Sequence, residues 1–181
     1  MEFVVLGWPP DGPALRLDWR EFSYAGKFVM TATGKAVARE GDPGDGEFAD
    51  DVLAAVAFSP DRTDPETLWL RYVTVREGRR GEGLGPQLCA FVAERATDAG
   101  YDRLRIAVNN PFAYEALHKA GFGFTGRETG LAELVLERPG DRSSDRYRAG
   151  LDRVRERDLS EAERAVLDSR DGVPSTGPDP S

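Results

Sequence analysis

The segment from Val75 to Gly85 has the residue types best suited to binding chemistry: it reads Val-Arg-Glu-Gly-Arg-Arg-Gly-Glu-Gly-Leu-Gly. It is predicted to join a strand to a helix. Glycine lets a backbone approach a ligand closely, and the free N–H groups and the dipole at a helix start favour an anion. The segment therefore predicts a cradle for a phosphate or pyrophosphate, to which Arg79 and Arg80 can add charge-assisted hydrogen bonds. A glycine turn without a ligand is the alternative.

Two known phosphate-binding loops do not fit this segment. No Gly-Lys-Ser/Thr follows, so it is not a P-loop, and the spacing of its glycines differs from that of the dinucleotide fingerprint. The anion, if bound, is therefore held in another way.

The elements that position the cradle are predicted from apolar periodicity. Residues 68–75 are rich in aromatic and β-branched side chains, which predicts a strand, and Leu84, Leu88, Phe91 and Val92 recur at helical spacing. Residues 104–108 predict another strand, and Asn110-Pro111 suits the start of a helix that ends near Gly121. Further strands are predicted at residues 1–6, 52–58, 122–125 and 132–136, with an alternating stretch at 14–19 and a hairpin, broken at Gly34, at 27–39.

Composition excludes several classes of protein. The chain has 181 residues, 40% of them hydrophobic, enough for a domain with a core. The net charge of -8 argues against a nucleic-acid partner, and no apolar run approaches the ~20 residues of a membrane span. One cysteine and one histidine exclude an internal disulfide and argue against a zinc site. The expectation is a cytoplasmic protein with no signal peptide, no metal and no membrane partner.

Lysine is scarce: arginine supplies all but three of the 24 basic residues. Scarce lysine with abundant carboxylate resembles proteins of salt-loving archaea, in which a hydrated anionic surface keeps the chain soluble. A GC-rich genome that favours arginine codons explains the pattern equally well.

Two motifs in order resemble the GNAT superfamily of acetyl-CoA-dependent N-acetyltransferases. The first, after a strand ending Val73-x-Val75, is Arg80-x-x-Gly83-x-Gly85, which is similar to the family's acetyl-CoA loop. The second, similar to the family's later helix, is Asn110-Pro111-Phe112-Ala113 followed by Lys119-x-Gly121-Phe122. The similarity covers about residues 50–137, and the first 45 residues lack the family's usual pair of N-terminal helices.

The resemblance implies an α/β GNAT fold, with a mixed twisted sheet flanked by helices and two parallel strands that splay apart near Val73–Val75 and residues 104–108. It implies acetyl-CoA as cosubstrate, with the pantetheine arm along Val73–Val75, where a backbone N–H would hold the oxyanion. The residues that it assigns to cofactor binding are Val73, Val75, Arg80, Gly81, Glu82, Gly83, Leu84, Gly85 and Asn110.

The resemblance also implies a proton donor for the departing thiolate. Many GNAT members have a tyrosine seven residues after the motif asparagine, and here that position is Leu117. Tyr114 lies on nearly the same helix face, and His118 follows it by four residues. Tyr114 and His118 are therefore the catalytic candidates, with packing as the alternative for both. Catalysis without a dedicated acid stays open. The base is unassigned: the alternatives are an ordered water and the carboxylates of Glu66, Glu40, Glu47 and Asp50.

The predicted domain organisation is a GNAT domain at 1–139, a charged helical appendage at 140–170 with a capping box at Ser160 and Glu163, and a disordered tail at 171–181. The stripe Tyr147, Leu151 and Val154 packs on the domain or forms a homodimer contact. Cys89 is predicted to be a buried structural thiol, and the aromatic residues predicted in the core are Trp69, Tyr72 and Phe122.

The function predicted is acetyl transfer from acetyl-CoA to a primary amine of a small molecule or a protein, by direct attack in a ternary complex. The alternatives are a non-catalytic acyl-CoA sensor of the same fold and an interaction protein that acts through the charged appendage. The missing tyrosine and the unassigned base favour the sensor, whereas the intact loop Arg80–Gly85 is compatible with both the sensor and the enzyme.

Overall fold

The computed structural model describes residues 1–155 of the chain. It forms two compact units, Met1–Asp102 and a second that begins at Arg103. Seven strands and three α-helices in the described residues confirm the α/β class. The predicted capping box at Ser160 and the tail at 171–181 lie outside the described residues.

The first unit has a four-stranded antiparallel sheet and one α-helix. The strands, in spatial order, are β1 (Glu2–Gly7), β2 (Gly34–Arg39), β3 (Val52–Pro60) and β4 (Thr67–Val75), and the helix is α1 (Leu84–Asp98). Every residue from Val52 to Phe58 is buried. A strand reads as a continuous apolar run when both of its faces are covered, and here α1 contacts β3 and β4 while the N-terminal segment contributes to a core on β2 and β3.

The hairpin predicted at 27–39 is wrong. Residues Ala25–Val29 form a short 3-10 helix, and only Gly34–Arg39 is a strand. The side chain of Phe28 is fully buried, and its carbonyl accepts a hydrogen bond from the amide of Leu15 at 2.8 Å. A core contact and local turns thus replace the strand pairing that the sequence pattern suggested.

The strand-like alternation at 14–19 predicted burial correctly but secondary structure wrongly. Leu15 and Leu17 are buried and Arg16 is exposed, as in a strand, yet the segment is not one. Its backbone bonds to Phe28 and to Ala49, and the Asp18 carbonyl accepts from two amides of the following turn, so no ladder forms. Alternation reports which side chains face the core, and an extended segment without a partner strand satisfies it as well.

The second unit has a three-stranded antiparallel sheet in the order β5, β7, β6. The elements in chain order are β5 (Arg103–Val108), α2 (Pro111–Lys119), β6 (Gly123–Glu128), β7 (Leu134–Arg138) and α3 (Ser144–Arg155). One sheet face is apolar and buried, through Leu104, Ile106, Phe124 and Leu136. The splay predicted between residues of the two units stays a prediction.

Helix α3 packs within its own unit. Tyr147, Leu151 and Val154, the stripe predicted from the sequence, are each at most 5% exposed, and α3 contacts β6 and α2. The stripe is therefore covered by its own chain, which favours the first of its two predicted roles. The domain boundary at residue 139 stays a prediction.

Candidate functional site

The cradle loop, residues 76–85, leaves β4 at Val75 and enters α1 at Leu84. Gly81 and Gly83 have φ angles of 86° and 78°, in the left-handed region. Residues with a Cβ rarely adopt that conformation, so both positions favour glycine. A Cβ on Gly81 would meet no atom within 4 Å, which shows that this side of the loop is open.

The start of α1 offers unpaired donors. Within residues 1–155 the backbone amides of Gly83, Leu84 and Gly85 have no hydrogen-bond acceptor, and no side chain caps the helix at Gly83. Pro86 has no N–H, and the amide of Gln87 donates to the Gly83 carbonyl at 3.2 Å. The three open amides and the helix dipole make this end of α1 suited to an anion.

The two arginines predicted to assist the cradle differ in their contacts. The Arg79 guanidinium donates to both carboxylate oxygens of Glu82, at 3.1 and 2.9 Å. Arg80 contacts the Val75 carbonyl and the Ser23 hydroxyl, both at 3.4 Å, and no carboxylate of the described residues lies within 4 Å of it. The positive charge available to the cradle is therefore that of Arg80.

The N-terminal segment is fixed beside the cradle loop through Arg76. The Arg76 guanidinium donates to the Val52 carbonyl, pairs with the Glu21 carboxylate and lies 4.8 Å from the centre of the Phe22 ring. The amide of Glu77 donates to the Glu21 carbonyl at 2.9 Å. These contacts hold the first residues of the loop to β3 and to the N-terminal segment.

Strand β4 presents one residue that sequence reasoning missed. A Cβ on Gly85 would lie 3.5–3.6 Å from the Val73 and Val75 side chains, so α1 covers that face of β4. Thr74 has the opposite orientation because side chains alternate along a strand. It is 4% exposed, and its hydroxyl has no hydrogen-bond partner in the described part of the chain. The alternation predicts its face, but no sequence signal shows that its hydroxyl is unpaired.

Asn110 starts α2 as its type predicts. Its Oδ1 accepts a hydrogen bond from the Ala113 amide at 2.9 Å, and Pro111 occupies the first turn. The cap confirms the predicted helix start. The contact of Asn110 with pantetheine stays a prediction.

Tyr114 has its hydroxyl engaged inside the second unit. The side chain is 1% exposed, and the hydroxyl donates to the Tyr147 carbonyl at 2.8 Å. The Tyr114 ring stacks on the Tyr147 ring, with 5.1 Å between their centres. Burial, followed by the Tyr147 hydroxyl, raises the pKa of Tyr114 well above its usual range. A buried hydroxyl that already donates is poorly placed to protonate a leaving group.

His118 is buried in the same cluster. It is 5% exposed, and its ring centre lies 4.5 Å from that of Tyr147. Burial and, to a smaller extent, the Arg142 charge lower the pKa of His118 to about 4. The imidazole is therefore neutral at pH 7. These contacts give Tyr114 and His118 packing roles, and their catalytic assignment stays a prediction.

The remaining predictions concern packing. Cys89 is 1% exposed, and burial raises the pKa of its thiol to about 12, which confirms a buried thiol. Phe122 is fully buried, as predicted. Trp69 and Tyr72 are only half-buried, contrary to the prediction that both lie in the core. The Trp69 Nε1 donates a hydrogen bond to the Asp61 carboxylate at 2.6 Å.

Residues 1–155 show neither a cluster of metal ligands nor a membrane-spanning helix. In this range no group of three or more histidine, cysteine or acidic side chains could hold a metal ion. None of the helices in the same range is long and apolar enough to cross a membrane.

The fold is that of an α/β protein with open backbone amides at a strand-to-helix turn. The acetyltransferase (GNAT) family model matches residues 7–124, so the chain belongs to that family. No curated protein matches the chain.

Solved structures of acetyltransferases are similar to this chain at low identity. An IAA acetyltransferase from Bacillus cereus is 19% identical, over 75% of this chain and 98% of its own, with a TM-score of 0.49. A Bacillus subtilis acetyltransferase in complex with CoA is 19% identical, over 58% of this chain and 75% of its own (TM-score 0.46). A putative acetyltransferase from Salmonella typhimurium with acetyl-CoA is 18% identical, over 58% and 63% (TM-score 0.46).

Proposed function

We propose that the chain is an N-acetyltransferase that moves an acetyl group from acetyl-CoA to a primary amine of a small molecule or a protein. The observation that carries the proposal is the set of open amides at Gly83, Leu84 and Gly85 in a chain of the GNAT family. A pyrophosphate would accept hydrogen bonds from these amides, and the Arg80 guanidinium would add charge.

The proposed reaction needs few groups of the protein. The neutral amine attacks the thioester carbonyl, the C–N bond forms, and the C–S bond breaks as the thiolate leaves. An ordered water takes the ammonium proton, and solvent protonates the thiolate. A backbone N–H of Val73–Val75 would stabilise the tetrahedral oxyanion, and holding the two substrates together supplies much of the acceleration. Neither Tyr114 nor His118 is needed for the proton transfers of this reaction.

Thr74 enters the same proposal as a group that contacts substrate. A buried hydroxyl without a partner loses its hydrogen bonds to water and gains no other hydrogen bond, which costs free energy. Such a group in a folded protein therefore requires a specific explanation. Thr74 lies between Val73 and Val75, the two residues assigned to the cosubstrate. A bound thioester or acceptor would give its hydroxyl the partner that the described residues do not supply.

A sensor that binds acyl-CoA without turnover is the second candidate. The observation that favours it is the engagement of Tyr114 with Tyr147, because the chain then has no tyrosine hydroxyl of α2 free to act as an acid.

Acetyl-CoA consumption in the presence of a panel of primary amines separates the two functions. The panel contains a polyamine, an aminoglycoside, a lysine peptide and peptides with free N-termini, and calorimetry measures acetyl-CoA binding in parallel. Turnover above hydrolysis with at least one amine supports the enzyme. Binding without turnover of any amine supports the sensor, and absence of binding contradicts both.

A further inference from the structure

The second unit carries a pocket lined by charged side chains. Its volume is about 280 Å³, and it lies on the sheet face opposite the apolar one. The charged residues that line it are Arg103, Arg105, Arg127, Arg146, Glu137 and Asp141. Four guanidinium groups therefore face two carboxylates, an excess of two positive charges in a chain whose net charge is -8.

The sheet register explains why these charges meet. Glu137 on β7 is directly paired with Arg105 on β5 and with Gly123 on β6. Arg103 lies two residues before Arg105 and therefore on the same face. A Cβ on Gly123 would lie 2.3 Å from the Asp141 carbonyl oxygen, so the chain after β7 packs directly on β6 and closes one side of the pocket.

One carboxylate of the pocket, that of Glu137, is neutralised by arginines of the pocket itself. The Glu137 carboxylate is 13% exposed and accepts hydrogen bonds from Arg105 at 2.5 Å and from Arg127 at 3.1 Å. A carboxylate held between two guanidinium groups is itself satisfied, so the excess charge belongs to the arginines around it.

Two other arginines of the pocket, Arg103 and Arg146, have guanidinium N–H donors without an acceptor in the described residues. The closest carboxylate oxygens lie 3.9 Å from Arg103, on Glu137, and 3.8 Å from Arg146, on Asp141, both beyond hydrogen-bond distance. Neither guanidinium donates a hydrogen bond within the described residues, although both line the pocket. Their side chains are 46% and 40% exposed. Each guanidinium has five N–H donors in a fork that matches phosphate oxygens.

We propose that this pocket is a second anion site, which binds the phosphate dianion of a small phosphomonoester. The excess of two charges matches a phosphomonoester, which carries about -1.5 to -2 at pH 7. The unbonded forks of Arg103 and Arg146 would bind the phosphate oxygens, and the volume admits a small metabolite. The proposal rests neither on the cradle at α1 nor on the proposed acetyl transfer.

Calorimetric titration of the whole chain with methyl phosphate at pH 7.5 and low ionic strength tests the site. Wild type is expected to bind, and dimethyl phosphate, a monoanion, is expected to bind about tenfold more weakly because it has half the charge. The double variant Arg103→Gln/Arg146→Gln is expected to lose about tenfold or more in affinity for methyl phosphate, since charge-assisted bonds are the strong ones.

Two control variants separate this pocket from other anion sites. Arg148→Gln removes a neighbouring exposed arginine of α3 that does not line the pocket and is expected to leave affinity unchanged. Gly83→Glu blocks the cradle, which is itself suited to an anion, so methyl phosphate bound by this variant is bound elsewhere. Binding at the pocket is expected to persist in it. Circular dichroism and thermal melts check that the variants fold. The proposal is overturned if wild type takes up no methyl phosphate, if the double variant binds like wild type, or if Gly83→Glu abolishes the uptake.

Discussion

The start of α1 and the helix α2 both carry motif residues, but they use their polar atoms in opposite ways. At α1 the amides of Gly83, Leu84 and Gly85 are left without acceptors in the described residues. In α2 the polar atoms are engaged: Asn110 caps the helix and Tyr114 donates to a carbonyl. Unmet polar groups cost free energy unless a ligand or solvent meets them. The difference favours the proposed binding role for the start of α1 and a packing role for this part of α2.

Blocking the amides of α1 gives the largest expected effect. Gly83→Glu puts a side chain and a negative charge at the helix start and is expected to weaken CoA binding about 1,000-fold, or about 4 kcal/mol. The matched control is Gly41→Glu, because Gly41 also has a left-handed φ, 79°, and open surroundings. Calorimetry with CoA measures both. Equal affinities in Gly83→Glu and wild type would remove the cradle from the site.

The packing role of His118 predicts a pH dependence of stability. The pKa of His118 in the folded chain, about 4, lies below its usual value of 6.5, so the unfolded chain binds more protons between these two pH values. Stability from the neutral imidazole is then complete above pH 6.5 and is lost as pH falls towards 4, by about 2–3 kcal/mol.

Urea unfolding of wild type and His118→Gln at several pH values measures this contribution. His118 is the one histidine of the chain. The difference between the two proteins in the slope of unfolding free energy against pH therefore reports its titration and not that of the carboxylates. We expect the free energy of unfolding to fall less steeply with acid in the variant. Parallel curves would show that the imidazole stays accessible to protons, which would sharpen the case for a catalytic role.

A second polar group of the first unit, the Thr74 hydroxyl, also has no hydrogen-bond partner in the described residues. Its replacement tests whether such a group serves binding or packing. Thr74→Val keeps the shape and removes the hydroxyl, so stability is expected to stay equal or rise by up to about 1 kcal/mol. If the substrate supplies the partner of the hydroxyl, kcat/KM for acetyl-CoA is expected to fall about tenfold in Thr74→Val. This corresponds to a loss of about 1.4 kcal/mol of transition-state stabilisation. Thr74→Ser keeps the hydroxyl and serves as the control. A loss of stability in Thr74→Val without loss of activity would make the hydroxyl structural.

The sequence predicted most of the helices and strands, and the loop that joins β4 to α1, for a physical reason. Residues 84–98 and 104–108 carry strong periodic patterns, and the glycines at 81 and 83 mark a backbone that other residues avoid. The failures lie where tertiary contacts override local patterns. At 25–29 the burial of Phe28 replaces a strand with a 3-10 helix.

The surroundings of the two candidate catalytic residues could not be predicted, for a related reason. Helical spacing places Tyr114 and His118 on one face of α2, and in the structure both are buried. The spacing does not show which part of the chain packs against that face. It meets Tyr147 of α3, which lies 33 residues further along the chain than Tyr114. Long-range contacts of this kind, and the unmet hydroxyl of Thr74, are not encoded in local sequence patterns.

The smallest expected effect decides most directly whether α2 packs or reacts. Tyr114→Phe removes the hydroxyl that donates to the Tyr147 carbonyl and keeps the ring stacked on Tyr147. If the hydroxyl only packs, the free energy of unfolding falls by about 1 kcal/mol, the net worth of one hydrogen bond, and kcat stays within about twofold. Urea unfolding and steady-state acetyl-CoA turnover with an accepted amine measure the two quantities on the same preparation. A fall in kcat at unchanged stability and unchanged affinity would instead make Tyr114 the proton donor, because a general acid contributes to the transition state and not to the folded ground state.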